Sequence, residues 1–466
     1  MNKTVFSFYF FFFGILIAIS QETVIEGNLP GAEGSAIRLS TISDYVTMED
    51  SLLVKTTVRD NGSFKFQFQS TETILCTIDL DYYYLSLFTE PGGYYVLTCD
   101  SVNLEGQFRP FYKKEELGYN LVKETESGLN FNIRDFSRSY NEFVKDEFDE
   151  IYKKRNRSAI AAFQTQVDKN YANVQNDFFK VYIEYRIAEL ELTMSASRKL
   201  QVFQKYLKDK PGYYNNPEYM EFCREFFNGY LENNKWISNI DLKTAINYSG
   251  NYHAIIDTLG KDTLLVNERI RELALLFNAR GFYYDAGYYK DNVIKILQQL
   301  KEKSSFDEHK KMAGNLIHNL TRFEPGSKAP GFKLASLDGD SVSLFDLEGK
   351  PVYIGFMTTS SIACLAEFRL MDSLNLTYGN KIRFVTVSLD NEQKAIEDLK
   401  EAKKYNWKFL YNGLDYKLIS DFDIKTFPQF ILLDENGAIL QYPAYRPSEG
   451  IENYFIQLLK NKSREP

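Results

Sequence analysis

The hydrophobic period changes twice along the chain, and these two changes decide what it can fold into. From about Glu22 to Gly106 the apolar residues alternate: Phe64, Phe66 and Phe68 recur at period two, which places one face of a strand in a core. From about Tyr112 to Phe323 the spacing becomes three or four, as in Phe136, Tyr140, Phe143, Glu147 and Ile151, with only Glu147 polar, and in Phe163, Val167, Tyr171, Val174 and Phe178. Beyond Lys328, short strand-like runs alternate with helical ones. A chain of 466 residues is too long for one ordinary core, and the length alone suggests about three domains.

Ahead of these units Lys3 precedes an apolar run from Val5 to Ile19, and Ala18-Ile19-Ser20 supplies small residues in the −3 and −1 places. The run is shorter than the ~20 residues of a spanning helix, so residues 1–20 read as a secretory signal cleaved before Gln21. No cysteine follows it, which argues against a lipoprotein. A net charge of −8 without a basic stripe argues against nucleic acid as a partner.

In the first unit, Asp60-Asn61-Gly62 and Pro91-Gly92-Gly93 each predict a hairpin, and the whole predicts a small antiparallel β-sandwich over residues 21–108. Residues 109–324 predict a helical region. Asn216-Pro217 starts one of its helices, and no fixed-period repeat marks a solenoid. His253, His309 and His318 lie here without metal-site spacing and are read as surface or packing residues. Four cysteines, Cys76, Cys99, Cys223 and Cys364, are too few for a disulfide scaffold. Cys76 and Cys99 could pair or could be two small buried residues.

Pro325-Gly326-Ser327 reads as a linker into a third unit, residues 325–466. Leu337-Asp338-Gly339 and Asp434-Glu435-Asn436-Gly437 each turn a hairpin, Asp390 and Ser448 are placed to cap helices, and Pro351 to Met357 is a buried strand that runs into a helix at Ser361. The order of elements predicts a mixed sheet covered on both faces.

Ala329-Pro330-Gly331-Phe332, Leu337-Asp338-Gly339, Gly349-Lys350-Pro351-Val352 and Thr426-Phe427-Pro428, in this order, resemble the TlpA/ResA type of thioredoxin-fold protein of bacterial envelopes. The resemblance implies a thiol-disulfide oxidoreductase family, an α/β thioredoxin-like domain and a cis-proline at Pro428 beside a groove that binds extended peptide. The family's Trp-Cys-x-x-Cys falls on Ser360-Ser361-Ile362-Ala363-Cys364, so Ser361 stands where the attacking cysteine belongs. A hydroxyl cannot attack or resolve a disulfide. With no histidine after His318 to act as its base, Ser361 reads as a helix N-cap. Glu367 matches a buried glutamate that tunes the family's thiols. Cys364 is either an inert buried thiol or a reactive lone one: the helix N-terminus favours the thiolate, while Phe368 and Met371 on the same face oppose it. Ser361-x-x-Cys364 also resembles the peroxidatic motif of peroxiredoxins, but Met357 occupies the place of the shielding proline.

The expectation is an exported, multidomain α+β protein of the periplasm or envelope. Its thioredoxin-like domain uses Ser361, Phe427 and Pro428 to bind an extended peptide or an envelope protein, and two-cysteine exchange is lost. No cofactor, metal or membrane span is expected in the mature chain. The alternative is monothiol redox chemistry at Cys364, with Cys223 as a candidate resolving thiol.

Overall fold

The computed structural model describes residues 20–80, 82–103, 114–194, 199–413 and 416–462; the expected signal, up to residue 19, lies outside them. Nine strands open the chain: β1 (Gln21–Asn28), β2 (Ala36–Ile42), β3 (Asp50–Thr57), β4 (Ser63–Ser70), β5 (Ile74–Leu80), β6 (Tyr83–Thr89), β7 (Tyr94–Cys99), β8 (Glu115–Glu116) and β9 (Tyr119–Lys123). They form two sheets, ordered β4-β1-β7-β9 and β3-β2-β5-β6-β8. Ile25, Phe66 and Tyr95 of the first sheet and Ile37, Leu39 and Ile78 of the second share one core.

Two sequence expectations fail here. Asp60-Asn61-Gly62 and Pro91-Gly92-Gly93 are not hairpin loops, because each joins a strand of one sheet to a strand of the other. Strand β4 pairs antiparallel with β1, and β7 pairs parallel with β1. Turn chemistry fixes the reversal of the chain but not the partner, which is chosen by where the alternating apolar face can be buried. The sheets also run on past residue 108 to Lys123, since β8 pairs with β6 and β9 with β7.

Ten α-helices follow among the described residues, from Leu129 to Thr321. The apolar run expected to continue from Phe163 to Phe178 is broken after Asn170, and Phe178 belongs to the next helix, Asp177–Met194. Asn216 does cap the helix that Pro217 begins, accepting from the backbone of Glu218 and Tyr219. The helices dock on the second sheet through Asn130, whose amide bonds both the N–H and the carbonyl of Phe88, at 2.8 and 2.9 Å.

The C-terminal sheet has seven strands: β10 (Lys333–Ser336), β11 (Ser341–Ser343), β12 (Val352–Met357), β13 (Arg383–Ser388), β14 (Lys408–Tyr411), β15 (Gln429–Leu433) and β16 (Ile439–Gln441). Their order is β11-β10-β14-β13-β12-β15-β16, with β12, β13 and β14 parallel and β15 antiparallel. Here both expected hairpins, at Leu337-Asp338-Gly339 and at Asp434–Gly437, are present. Two cores, one on each face of the sheet, sit beneath the flanking helices. The linker is itself paired: Gly326 N–H donates to Ile439 O at 2.8 Å, Ile439 N–H to Ser327 O at 2.7 Å and Ala329 N–H to Gly437 O at 3.2 Å. No helix among the described residues is long and apolar enough to cross a membrane.

Candidate functional site

Val352-Tyr353-Ile354-Gly355-Phe356-Met357 is buried at every position, as a strand covered on both faces must be. Gly355 is required, because a Cβ there would stand 2.7 Å from the Phe430 ring on β15. The strand delivers the chain to Thr358–Ser361, and the Ile362–Tyr378 helix starts immediately.

Ser361 is the N-cap of that helix: its backbone is extended and its Oγ accepts from the Cys364 N–H at 3.4 Å. Cys364 has no exposed surface and belongs to the core with Met357, Phe368 and Met371. Burial pushes its thiol up. Hydrogen bonds from the Thr358 backbone and the Ser361 hydroxyl pull the other way, and weaker fields from Asp390 and Arg446 oppose each other.

Two residues expected to cap helices do something else. The Gln393–Lys403 helix has no side-chain cap; the Asp390 carboxylate instead turns back onto the end of β12. Its Oδ1 accepts from Thr358 Oγ1 at 2.7 Å and from Thr359 N and Oγ1 at 2.8 Å each, and its Oδ2 accepts from Ser388 Oγ at 2.7 Å. Parallel pairing explains this, since Met357 stands opposite Ser388 and the two strands end side by side. Ser448 bonds Glu367 through both its N–H, at 3.0 Å, and its hydroxyl. Glu367 is buried, as the resemblance implies, yet both its oxygens face Ser448, so it holds the Pro447–Glu449 turn against the helix rather than facing the thiol.

The Phe427–Pro428 bond is cis. Phe356 pairs with Gln429, so continuing the register brings Pro428 beside Met357 and Phe427 beside Thr358, at the edge of the same turn. Phe427 is half-buried against the cores on both faces of the sheet. The sequence reading passed over Ile362, which is 86% exposed at the first helical position, where only its place inside the motif could have flagged it.

The other cysteines do not join this site. Cys76 lies on β5 and Cys99 on β7, in different sheets, and both are free. Cys223 is a free thiol fully buried in the helical core. His309 is no surface residue: it is fully buried, with Nδ1 2.7 Å from Glu272 Oε2 and Nε2 2.6 Å from Tyr214 Oη. No group of three or more acidic, histidine or cysteine residues among those described could hold a metal.

Against known proteins, the thioredoxin-like protein YneN of Bacillus subtilis is 31% identical over 118 residues, 25% of this chain and 69% of that protein. The chain belongs to the ResA-type thioredoxin-like family. Membership rests on its C-terminal part, where the AhpC/TSA family model matches residues 325–442. The thiol-disulfide oxidoreductase ResA of Bacillus cereus is 26% identical over 122 residues, 26% of this chain and 69% of that protein. Among solved structures, the thioredoxin domain of a thiol-disulfide oxidoreductase from Bacteroides vulgatus is 26% identical, covers 29% of this chain and 96% of its own, and has a TM-score of 0.27. StoA from Bacillus subtilis is 24% identical, covers 25% and 88%, and has a TM-score of 0.22. In this ResA-type domain Ser361 caps the helix and Cys364 is enclosed.

Proposed function

We propose that this is an exported envelope protein in which the ResA-type domain has kept the family's peptide groove and given up two-cysteine exchange. The observation that carries the reading is the division of labour at the motif: Ser361 Oγ is a helix cap and Cys364 is wholly buried. A dithiol exchange needs one thiolate to attack a substrate disulfide and a second to expel the reduced product. Cys364 has no second thiol near it, because Cys223 is enclosed in another core. Binding remains open to it. Ile362 and the half-buried Phe427 offer apolar surface at the end of β15, where the backbone ahead of Pro428 could pair with an extended chain. On this reading the two N-terminal sheets form a β-sandwich and the helical region carries it on the thioredoxin-like domain.

A second reading keeps Cys364 as a lone redox thiol, favoured by the two hydrogen bonds that stabilise its anion. Thiol titration of the native protein, with Cys364→Ser as control, separates the two. Binding without redox predicts slow labelling of Cys364 and no insulin reduction. Prompt labelling with turnover lost in the variant would establish the second reading. Phe427→Ala tests the groove: it should weaken capture of an unfolded, thiol-blocked polypeptide, and unchanged capture removes the groove from the account.

A further inference from the structure

Cleavage between Ser20 and Gln21 would make Gln21 the first residue of the mature chain, and the fold begins on the same residue. Strand β1 starts at Gln21 and pairs it with Ser70, so such a chain has no loose segment ahead of its first sheet. Gln21 and Glu22 are exposed, and burial begins at Thr23. The strand itself is an inner one, lying between β4 and β7 in the order β4-β1-β7-β9. Thr23 is fully buried, and its hydroxyl donates to Glu90 O at 3.1 Å, just ahead of the turn that leads into β7. Ile25 then enters the core that the two N-terminal sheets share. Two exposed residues are the whole margin between the chain end and that core.

A chain that begins with glutamine carries its own electrophile. Its α-amine and its side-chain carboxamide are held within one residue, and attack of the amine nitrogen on Cδ closes a five-membered lactam. The N–Cδ bond forms, the Cδ–Nε2 bond breaks, and Nε2 leaves as ammonia with a proton taken from the amine. No oxidant, reductant or second substrate is consumed. Attack needs the neutral amine, and α-amino groups titrate near pH 8, so roughly a tenth of the chains are ready to react at neutral pH.

The fold has room for the product. The Gln21 carboxamide lies over the Pro91-Gly92-Gly93 turn against Gly92, where a side chain would collide with it. Gly92 also has a φ of 72°, which glycine adopts without strain. The lactam consists of the same heavy atoms less Nε2, so it fits the space that Gln21 already occupies.

We propose that Gln21 is a modification site: the mature chain begins with pyroglutamate, and the ring seals the exposed end of β1. The inference rests on export with cleavage before Gln21. The lactam carries no ammonium group, so an exopeptidase that grips a free α-amine has nothing to hold, and Thr23 is guarded from stepwise loss.

The test expresses the full precursor in a bacterial host and purifies the exported protein. Amines are blocked by reductive methylation on the intact protein, so that ring closure during digestion does not count, and the N-terminal peptide is read by tandem mass spectrometry. A peptide that starts at residue 21, unmethylated at its terminus and lighter by one ammonia, is the expected result. A methylated terminus at residue 21 overturns the assignment and leaves the export reading intact. Any other first residue overturns the cleavage on which the assignment rests. Gln21→Asn keeps the carboxamide but is one carbon shorter, so the same attack would have to close a four-membered ring. Its terminus should be methylated, and an equal loss of ammonia from it would place the lost nitrogen elsewhere and overturn the ring. With a broad-specificity aminopeptidase, Gln21→Asn should be shortened while the wild type keeps residue 21. Shortening of both would overturn the ring, and resistance of both would remove its protective role.

Discussion

Two buried carboxylates organise two parts of this molecule, and they do so to opposite ends. Asp390, at the mouth of the thioredoxin-like site, gathers two threonine hydroxyls, one serine hydroxyl and one backbone N–H, none of which titrates near neutrality. Glu272, deep in the helical region, gathers the Tyr252 hydroxyl, Ser304 Oγ at 2.6 Å and His309 Nδ1 at 2.7 Å, and His309 passes on to Tyr214. The place where the family keeps its chemistry thus holds a positioning network. The region with no catalytic resemblance holds the side chains that usually do chemistry. Residue type alone does not make a reactive site; a buried histidine and glutamate that satisfy each other are a staple.

The comparison breaks first at Glu272. Glu272→Leu removes the buried acceptor shared by His309 Nδ1, Ser304 Oγ and the Tyr252 hydroxyl. Among the described residues it leaves His309 only Tyr214, the Tyr252 hydroxyl only Glu268 and Ser304 Oγ only Phe306, and it should cost about 3–5 kcal/mol in urea unfolding. A loss below about 1 kcal/mol would show that the network is not a staple. The same carboxylate sets a pH dependence. Burial pushes it up, but hydrogen bonds from His309, Ser304 and Tyr252 together with the His309 charge hold it below the ordinary glutamate range. Its contribution is therefore present above that range and is lost as pH falls through the folded value. Stability curves of the wild type and Glu272→Gln should converge on acidification, and parallel curves would remove the linkage.

Asp390→Ala releases the Thr358–Thr359 turn and should cost about 1–3 kcal/mol while speeding the labelling of Cys364, read by thiol titration. Unchanged labelling would separate the turn from the thiol. The smallest effect belongs to Ser361→Ala, which removes one cap at about 1 kcal/mol in the same unfolding assay. A loss several times larger would give Ser361 a role beyond the helix start.

How far these features were legible in the residues depends on the range of the interaction. The Asn216-Pro217 helix start and the Ser361 cap were legible because the donors and acceptor lie within three residues of one another. Asp390 and Ser448 had the same local signature, yet a tertiary partner took each side chain: the end of a neighbouring strand in one case, Glu367 in the other. Asp60-Asn61-Gly62 read as a hairpin because a turn signal carries no information about which sheet receives the next strand. Lys408–Tyr411 is too short for alternation to show, so β14 escaped notice.

The paired linker decides where this protein can be cut. Residues 326–329 lie along the outer side of the chain that enters β16, so Ile439, at the start of the last strand of the seven-stranded sheet, has its backbone N–H and C=O covered by the segment that enters the domain. A fragment begun at Lys333 would present that strand bare, with unpaired N–H and C=O groups open to a second copy, and should self-associate. A fragment begun ahead of Glu324 carries its own cover and should remain monomeric on gel filtration. The stretch that reads as a spacer belongs to the domain that follows it.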